Sequence, residues 1–315
     1  MNIGILGTAD IAFRRFLPAL RQCDQAHYVG VASRTPEKAQ KFQQQFGGRI
    51  YDTYDALLAD PTIDAVYVPL PPALHYEWGK KVLLAGKHLF MEKPFTVSVA
   101  QTQALLELAA QKGLSVHENY MFLYHSQLPW IEQKLQSGAI GELRQIRMSF
   151  GFPFRGMQDF RYSKELGGGA LLDCGGYPVA LALRLMGPET IITTCALHEK
   201  YGVDLFGSAT LQNKSGLTAQ ISFGMDNSYR CELEVWGSTG CLMTNRIFTA
   251  PPDFTPVVKI VRQYGNEVIQ LPADHAFLNS IYAFLEKVQM GTVAEERILL
   301  QSKKIEMIQK EGFIV

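Results

Sequence analysis

The chain is poor in several things, and each shortage excludes a class. Its 315 residues hold five cysteines, an odd number, scattered and without a Cys-x-x-Cys pair. No disulfide framework or zinc ribbon follows from them, and buried thiols in a reducing compartment are expected. The seven histidines show no metal-ligand spacing, so no metal site is expected. Thirty basic residues balance thirty acidic ones. No basic field points to nucleic acid or to an anionic membrane surface. No uninterrupted apolar run approaches the roughly 18 residues of a membrane span. Internal repeats, low-complexity tracts and charged tails are also missing. The chain opens directly on a strand-like run, Asn2 to Leu6, which predicts no signal peptide and a cytoplasmic location.

What is present is a chain of ordinary globular composition, 47% hydrophobic, long enough for two domains. The first 120 residues alternate apolar runs with helical stretches. Runs lie at Ile3–Leu6, Tyr28–Ala32, Asp64–Val68, His88–Met91 and Leu114–His117. Helical stretches follow to about Arg21, from Pro69–His75 to near Gly86, and from Ser98 to Lys112. Such alternation predicts a doubly wound parallel sheet, with Asp64–Val68 as its third strand.

The first strand turns at Gly7-Thr8-Ala9-Asp10-Ile11-Ala12, a degraded form of the dinucleotide fingerprint G-x-G-x-x-G. Gly7 permits the tight turn and Ala12 lets helix and strand approach. Ala9 departs from the pattern, since its methyl lies where backbone meets pyrophosphate. The second strand ends without the acidic residue that binds an NAD ribose. It offers Ser33, Arg34 and, one helical turn on, Lys38. A hydroxyl with two cations suits the 2′-phosphate of NADP(H). Thr35 and Pro36 also fit an N-cap and first helical position. Leu70 and Pro71 are expected on the cofactor side of the crevice. His75 is either a helix-start cap or a cofactor contact.

The fourth apolar run ends in Met91-Glu92-Lys93-Pro94. Ligands of open α/β sheets bind at that carboxyl edge. Pro94 restricts Lys93 to extended conformations, so its ammonium is aimed. Glu92 can accept a hydrogen bond from a ribose or a nicotinamide amide, or balance Lys93.

Beyond residue 190 the pattern changes to strands with period-two alternation, such as Ala219-Gln220-Ile221-Ser222-Phe223. Short polar turns join them, which predicts a large, mostly antiparallel sheet with one face buried. Together these give an N-terminal Rossmann domain over 1–120 and an α+β domain over 121–315. The sheet's other face needs a cover, and a homodimer or homotetramer pairing sheet on sheet supplies it.

The run Gly167-Gly168-Gly169-Ala170-Leu171-Leu172-Asp173-Cys174-Gly175-Gly176-Tyr177 puts three glycines before a helix. Backbone can come close to a ligand there, and a helix N-terminus favours an anion. Asp173 and Tyr177 lie on one helical face. Spacing alone fits a buried Asp–Tyr hydrogen bond as well as a catalytic pair.

Glu92-Lys93-Pro94, the glycine run, Glu118-Asn119-Tyr120-Met121-Phe122, Asp159-Phe160-Arg161-Tyr162 and Ala273-Asp274-His275 resemble the glucose-fructose oxidoreductase / inositol dehydrogenase / MocA family along the whole chain. Within it the resemblance is closest to nucleotide-sugar 3-ketoreductases of deoxysugar biosynthesis, whose own fingerprint carries the alanine. The resemblance implies that Lys93 is the active-site lysine and that Asp173 and Tyr177 complete the site. It implies a dTDP-linked keto sugar as substrate, with Arg161 and Arg155 as candidates for its phosphates. Tyr120, Phe122, Phe154, Tyr162 and Tyr229 are candidates for contact with its base or sugar. A tyrosine, protonated at neutral pH, suits the acid of a ketone reduction. A dehydrogenase of free sugars, inositols or dihydrodiols shares the same fold, and a non-catalytic NADP-binding sensor is a third reading.

Overall fold

Parallel strands buried on both faces need near-continuous apolar sequence, and the first half supplies it. In the computed structural model, which describes residues 1–293 and 296–314, six strands form a parallel sheet. They are β1 (Asn2–Leu6), β2 (His27–Ala32), β3 (Arg49–Tyr51), β4 (Ala65–Val68), β5 (His88–Met91) and β6 (Val116–Glu118). Their order is β3-β2-β1-β4-β5-β6, the dinucleotide-binding order that puts a ligand crevice at the carboxyl ends. All four residues of β4 are buried. The sequence reading missed β3, so the expected third strand is the fourth. That strand is three residues long and exposed at Arg49, an edge piece with no apolar run to betray it.

Local chemistry sets the helix limits. The Ser98 hydroxyl accepts from the Gln101 amide at the start of the helix Val99–Lys112, and Gly113 closes it in the left-handed conformation. Proline opens the helix Pro36–Phe46 at its first turn, after Thr35 in extended conformation.

The first compact unit is Met1–Met121 with Phe277–Leu299, and the second is Phe122–Ala276 with Leu300–Val315. The helix Ala276–Met290, read from sequence as part of the second domain, thus supplies core to the first. Its Phe284 is fully buried and meets Phe90 edge-on at 5.2 Å. Its Ser280 hydroxyl lies 2.9 Å from His117. The sequence predicts closing helices over about 277–288 and 295–310; the last runs over Glu296–Glu311, and Glu295 lies outside the described residues.

The second unit carries nine strands: β7 (Leu143–Gly151), β8 (Ile191–Lys200), β9 (Val203–Gln212), β10 (Thr218–Gly224), β11 (Arg230–Gly237), β12 (Gly240–Asn245), β13 (Val257–Arg262), β14 (Gly265–Gln270) and β15 (Phe313–Ile314). Their order is β14-β13-β12-β11-β7-β10-β9-β8-β15. Pairing is antiparallel except for β10 with β7 and β15 with β8. The sequence reading missed β12 and β15. One face is buried under the helix Gly176–Met186. Gly175 lets that helix close on the sheet, since a Cβ there would stand 3.0 Å from Phe223. On the other face Trp236, Cys241 and Val261 lie side by side in register, with Trp236 55% exposed. The helical stretch Lys164–Met186 is long and apolar enough to span a bilayer by length and composition, but 83% of its apolar window is buried inside this fold.

Phe284 tests the assignment of this helix to the first unit. Phe284→Ala removes a fully buried ring and is expected to cost about 3–5 kcal/mol, read from urea denaturation. A cost within experimental error would mean that the helix is not part of the first core.

Candidate active site

In the first unit the turn after β1 is drawn tight at Gly7. Its φ is +92°, its amide donates to Ala32 O at 2.8 Å, and a Cβ would stand 2.7 Å from Leu70 Cδ2. Glycine is required here for conformation and for space. Leu70, expected on the cofactor side, backs this loop with Pro71 beside it, both half-buried. Thr8 Oγ1 lies 3.0 Å from Ser33 Oγ, which also accepts from the Thr35 amide at 3.1 Å. The fingerprint turn and the end of β2 are thereby joined. Arg34 and Lys38 are exposed beyond Ser33. Asp10 pairs with Arg14 at 3.3 Å on the surface, and Ile11 is half-buried.

His75 is not a cap. It is fully buried, with Nδ1 2.8 Å from Pro94 O and Nε2 2.7 Å from Leu70 O. Burial pushes its pKa down to about 4, so at neutral pH the ring donates to one of these carbonyls. It links the Leu70 loop to the Lys93–Pro94 segment, whose peptide bond is cis.

Glu92 is buried rather than offered to a ribose. Its Oε1 accepts from Tyr67 OH at 2.7 Å and Asn119 Nδ2 at 2.6 Å. Burial raises its pKa, and those two donors oppose the rise. Lys93, the next residue, is half-buried. Glu118 holds the far side of the segment by accepting from the Phe95 amide at 2.9 Å, with Arg297 3.4 Å from its other oxygen. Tyr67, His117 and Glu118 carried no role in the sequence reading. Side chains on β4 and β6 point at β5 only once the strand order is known.

In the second unit the glycine run serves the fold itself. A Cβ on Gly168 would overlap Arg161 O, and Gly169, at φ +122°, abuts the Asp204 carboxylate. Asp204 Oδ2 accepts from the Leu171 amide at 2.6 Å. The anion expected from a ligand at this helix start is therefore a side chain of β9. Burial raises the Asp204 pKa to about 6, against the pull of the Leu171 and Ala170 amides.

Arg161 is likewise engaged internally. Its Nε donates to Asp173 Oδ2 at 2.8 Å and its Nη1 to Asp159 Oδ1 at 3.1 Å. Two carboxylates take the guanidinium that was expected to meet phosphate, and Asp173 is anchored by the same contact. Tyr177, 7% exposed, stands among Phe150 at 5.0 Å, Phe122 at 5.7 Å and Phe248 at 6.0 Å. The Tyr162 hydroxyl donates to Met225 O at 2.7 Å and accepts from the Arg155 amide at 3.1 Å. Tyr120 is fully buried. Of the substrate candidates, Tyr229, Phe154 and Arg155 face solvent. Tyr229 lies under Arg246, 4.6 Å from its ring centroid, and its hydroxyl is 3.1 Å from Thr249 Oγ1. A groove of about 570 Å³ in the nine-stranded sheet is lined by Ser149, Phe150, His198, Phe206, Ser222 and Arg230, and so shares Phe150 with the surroundings of Tyr177. No group of metal-binding side chains is found among the described residues.

Residues 1–120 match the oxidoreductase family with an NAD-binding Rossmann fold, and residues 130–243 match the GFO/IDH/MocA C-terminal domain. The chain belongs to the GFO/IDH/MocA family of oxidoreductases. It is 40% identical to dTDP-3,4-didehydro-2,6-dideoxy-alpha-D-glucose 3-reductase of Saccharopolyspora spinosa, over 100% of this chain and 95% of that one. It is 42% identical to the protein of the same name from Actinomadura kijaniata, over 92% and 88%. A 3-ketoreductase from Actinomadura kijaniata, solved with NADP and TDP-benzene, superposes with a TM-score of 0.97 at 39% identity, covering 100% of this chain and 98% of that chain. Solved forms of that enzyme with a tyrosine changed to phenylalanine and a lysine changed to alanine match at TM-scores of 0.97 and 0.93.

Asp204 sets a pH test. The folded protein holds the Asp204 proton up to about pH 6, while an unfolded aspartate releases it near 3.9. This group's stabilisation is therefore full below about pH 4 and lost as pH rises through 6, by about 2–3 kcal/mol. Asp204→Asn, which keeps an acceptor for the Leu171 amide, should remove that decline. Urea denaturation of both proteins from pH 4 to 7.5 measures it, and parallel curves would refute it.

Proposed function

We propose that the protein is an NADPH-dependent ketoreductase that reduces the C-3 ketone of a dTDP-linked keto-deoxysugar. The observation that carries this reading is similarity at 40% identity over the full chain to a dTDP-sugar 3-reductase, with Lys93, Asp173 and Tyr177 all present. The lysine and tyrosine substituted in the Actinomadura enzyme have the same separation in its chain as Lys93 and Tyr177 have here.

The residues fit NADP(H). The fingerprint turn at Gly7 is tied to the end of β2 through Thr8 and Ser33, and Ser33 with Arg34 and Lys38 presents a hydroxyl and two cations where NAD-specific domains carry a carboxylate. When bound, the cofactor supplies a hydride. Tyr177 gives its proton to the carbonyl oxygen as the alcohol forms, suited by a phenol that is protonated at neutral pH. Lys93 donates to the same oxygen and stabilises its developing charge. Asp173, fixed by Arg161, positions the substrate side of the site. Tyr229, Phe154 and Arg155 are the exposed groups offered to the nucleotide. The exposed sheet face around Trp236 is the surface through which copies pair as a homodimer or homotetramer, in the cytoplasm.

Two measurements test this. In a thermal-shift panel, NADPH should stabilise more than NADH, and dTDP should add to it. A ligand at a hundred times its Kd adds about 2.7 kcal/mol. A shift with glucose or myo-inositol and none with dTDP would overturn the substrate assignment. Tyr177→Phe should lower kcat by about 10²–10⁴ and leave NADPH affinity unchanged. Unaltered turnover would remove Tyr177 from the acid's role.

A further inference from the structure

Behind the Lys93 segment, within the first unit, runs a chain of buried side chains that the mechanism above does not use. Lys287 Nζ lies 3.0 Å from His117 Nδ1. His117 Nε2 lies 2.9 Å from Ser280 Oγ, and Ser280 Oγ donates to Asn119 Oδ1 at 2.8 Å. Asn119 Nδ2 donates to Glu92 Oε1 at 2.6 Å. His117 and Ser280 are fully buried, and Asn119 and Glu92 nearly so. Lys287, half-buried, is the end nearest solvent.

The chemistry of the members fixes the direction of every bond. The Lys287 ammonium has no lone pair and can only donate, so His117 Nδ1 receives and carries no proton. The neutral imidazole then bears its hydrogen on Nε2 and gives it to Ser280 Oγ. With its oxygen occupied as acceptor, Ser280 turns its own hydrogen to Asn119. An amide whose oxygen is held this way presents its NH₂ to Glu92. Reversing the first bond reverses each one after it. A flipped Asn119 would aim its oxygen at the Glu92 carboxylate, which would lose one of its two side-chain donors.

We propose that Lys287, His117, Ser280 and Asn119 form a directional hydrogen-bond relay that keeps Glu92 ionised and oriented beside Lys93. They are positioning residues for the lysine of the reduction, an assignment that rests on the function proposed above. The relay carries no net proton transfer, because the Asn119 amide orients charge and does not shuttle it. Glu92 is the point of delivery: its backbone continues directly into Lys93, and its burial makes an unsupported carboxylate costly. Among the described residues, Arg297 repels the Lys287 ammonium and Glu118 attracts it. Burial lowers the Lys287 pKa to about 7; below that pH the ammonium, which has no lone pair, fixes the direction, whereas the neutral amine above it can donate or accept.

The test uses the full chain and two readouts. Ring ¹⁵N NMR on histidine-labelled protein reports the tautomer of His117, assigned by difference from a His117→Gln variant. At pH 6, where Lys287 is an ammonium, the wild type and Lys287→Arg should show the hydrogen on Nε2. Lys287→Met should move population to Nδ1. Ser280→Ala should leave it on Nε2, since Lys287 still holds Nδ1. In steady-state assays with NADPH and the keto sugar, Lys287→Met and Ser280→Ala should lower kcat by about tenfold to a hundredfold with both KM values unchanged, and Lys287→Arg should restore it. An Nδ1 hydrogen in the wild type, or an unchanged tautomer in Lys287→Met, overturns the relay. A moved tautomer with unchanged kcat overturns its role in positioning Lys93. A wild type without ketoreductase activity would sink the proposed function alone, because the tautomer measurement stands apart from it.

Discussion

The interaction on which the first unit depends is the burial of Glu92 at the end of β5. A carboxylate removed from water costs several kcal/mol unless donors replace the lost hydration. Tyr67 and Asn119 supply them, and each then imposes its own demands. Tyr67 must reach across from β4, where its ring stacks on Phe16 at 3.8 Å. Asn119 must follow β6 closely and be oriented by Ser280. Glu118 takes up the amide of Phe95, and His75 lies between the carbonyls of Pro94 and Leu70. The segment around Lys93 is thereby held from the strand before it, the strand after it and the helix His75–Leu84. A flexible side chain four carbons long becomes useful for orienting a carbonyl only when its backbone is this constrained.

The second unit handles its charges in the same self-contained way. The start of the helical run after Gly169 draws its anion from Asp204, and Arg161 spends its donors on Asp159 and Asp173. Motifs of this kind read from sequence as ligand sites, because glycines before a helix and an arginine in a loop are what anion sites also use. What separates the two cases is the presence of an internal carboxylate at the right register. Asp204 lies more than thirty positions downstream of the glycines, with no local spacing to announce it.

The legible and the illegible divide along physical lines. Strands buried on both faces, and strands with strict alternation, announced themselves, as did the helix closed by Gly113 and the one opened by Pro36. Arg49–Tyr51 did not, since a three-residue edge strand needs no apolar run, and Gly240–Asn245 alternates too weakly. Lys93, Asp173 and Tyr177 are proposed from motifs and family resemblance, and Ser33 with Arg34 from the missing carboxylate. The supporting residues Tyr67, His117, Asn119, Ser280 and Lys287 were not legible, because they meet only through the sheet order and a helix drawn from the far end of the chain.

That helix has a consequence for how the protein is made. The first unit is discontinuous: its sheet is finished by residue 118, but Phe284 and Ser280 arrive more than 150 residues later. During synthesis the N-terminal sheet therefore emerges with the face around Phe90 and His117 uncovered. It stays so while the whole nine-stranded sheet, apart from its last short strand, is translated. Chains of this type expose apolar surface for the time that synthesis takes, and chaperone capture in that interval is favoured. The same connectivity limits evolution and engineering. A cofactor domain exchanged between relatives as residues 1–120 alone would leave its own closing helix behind.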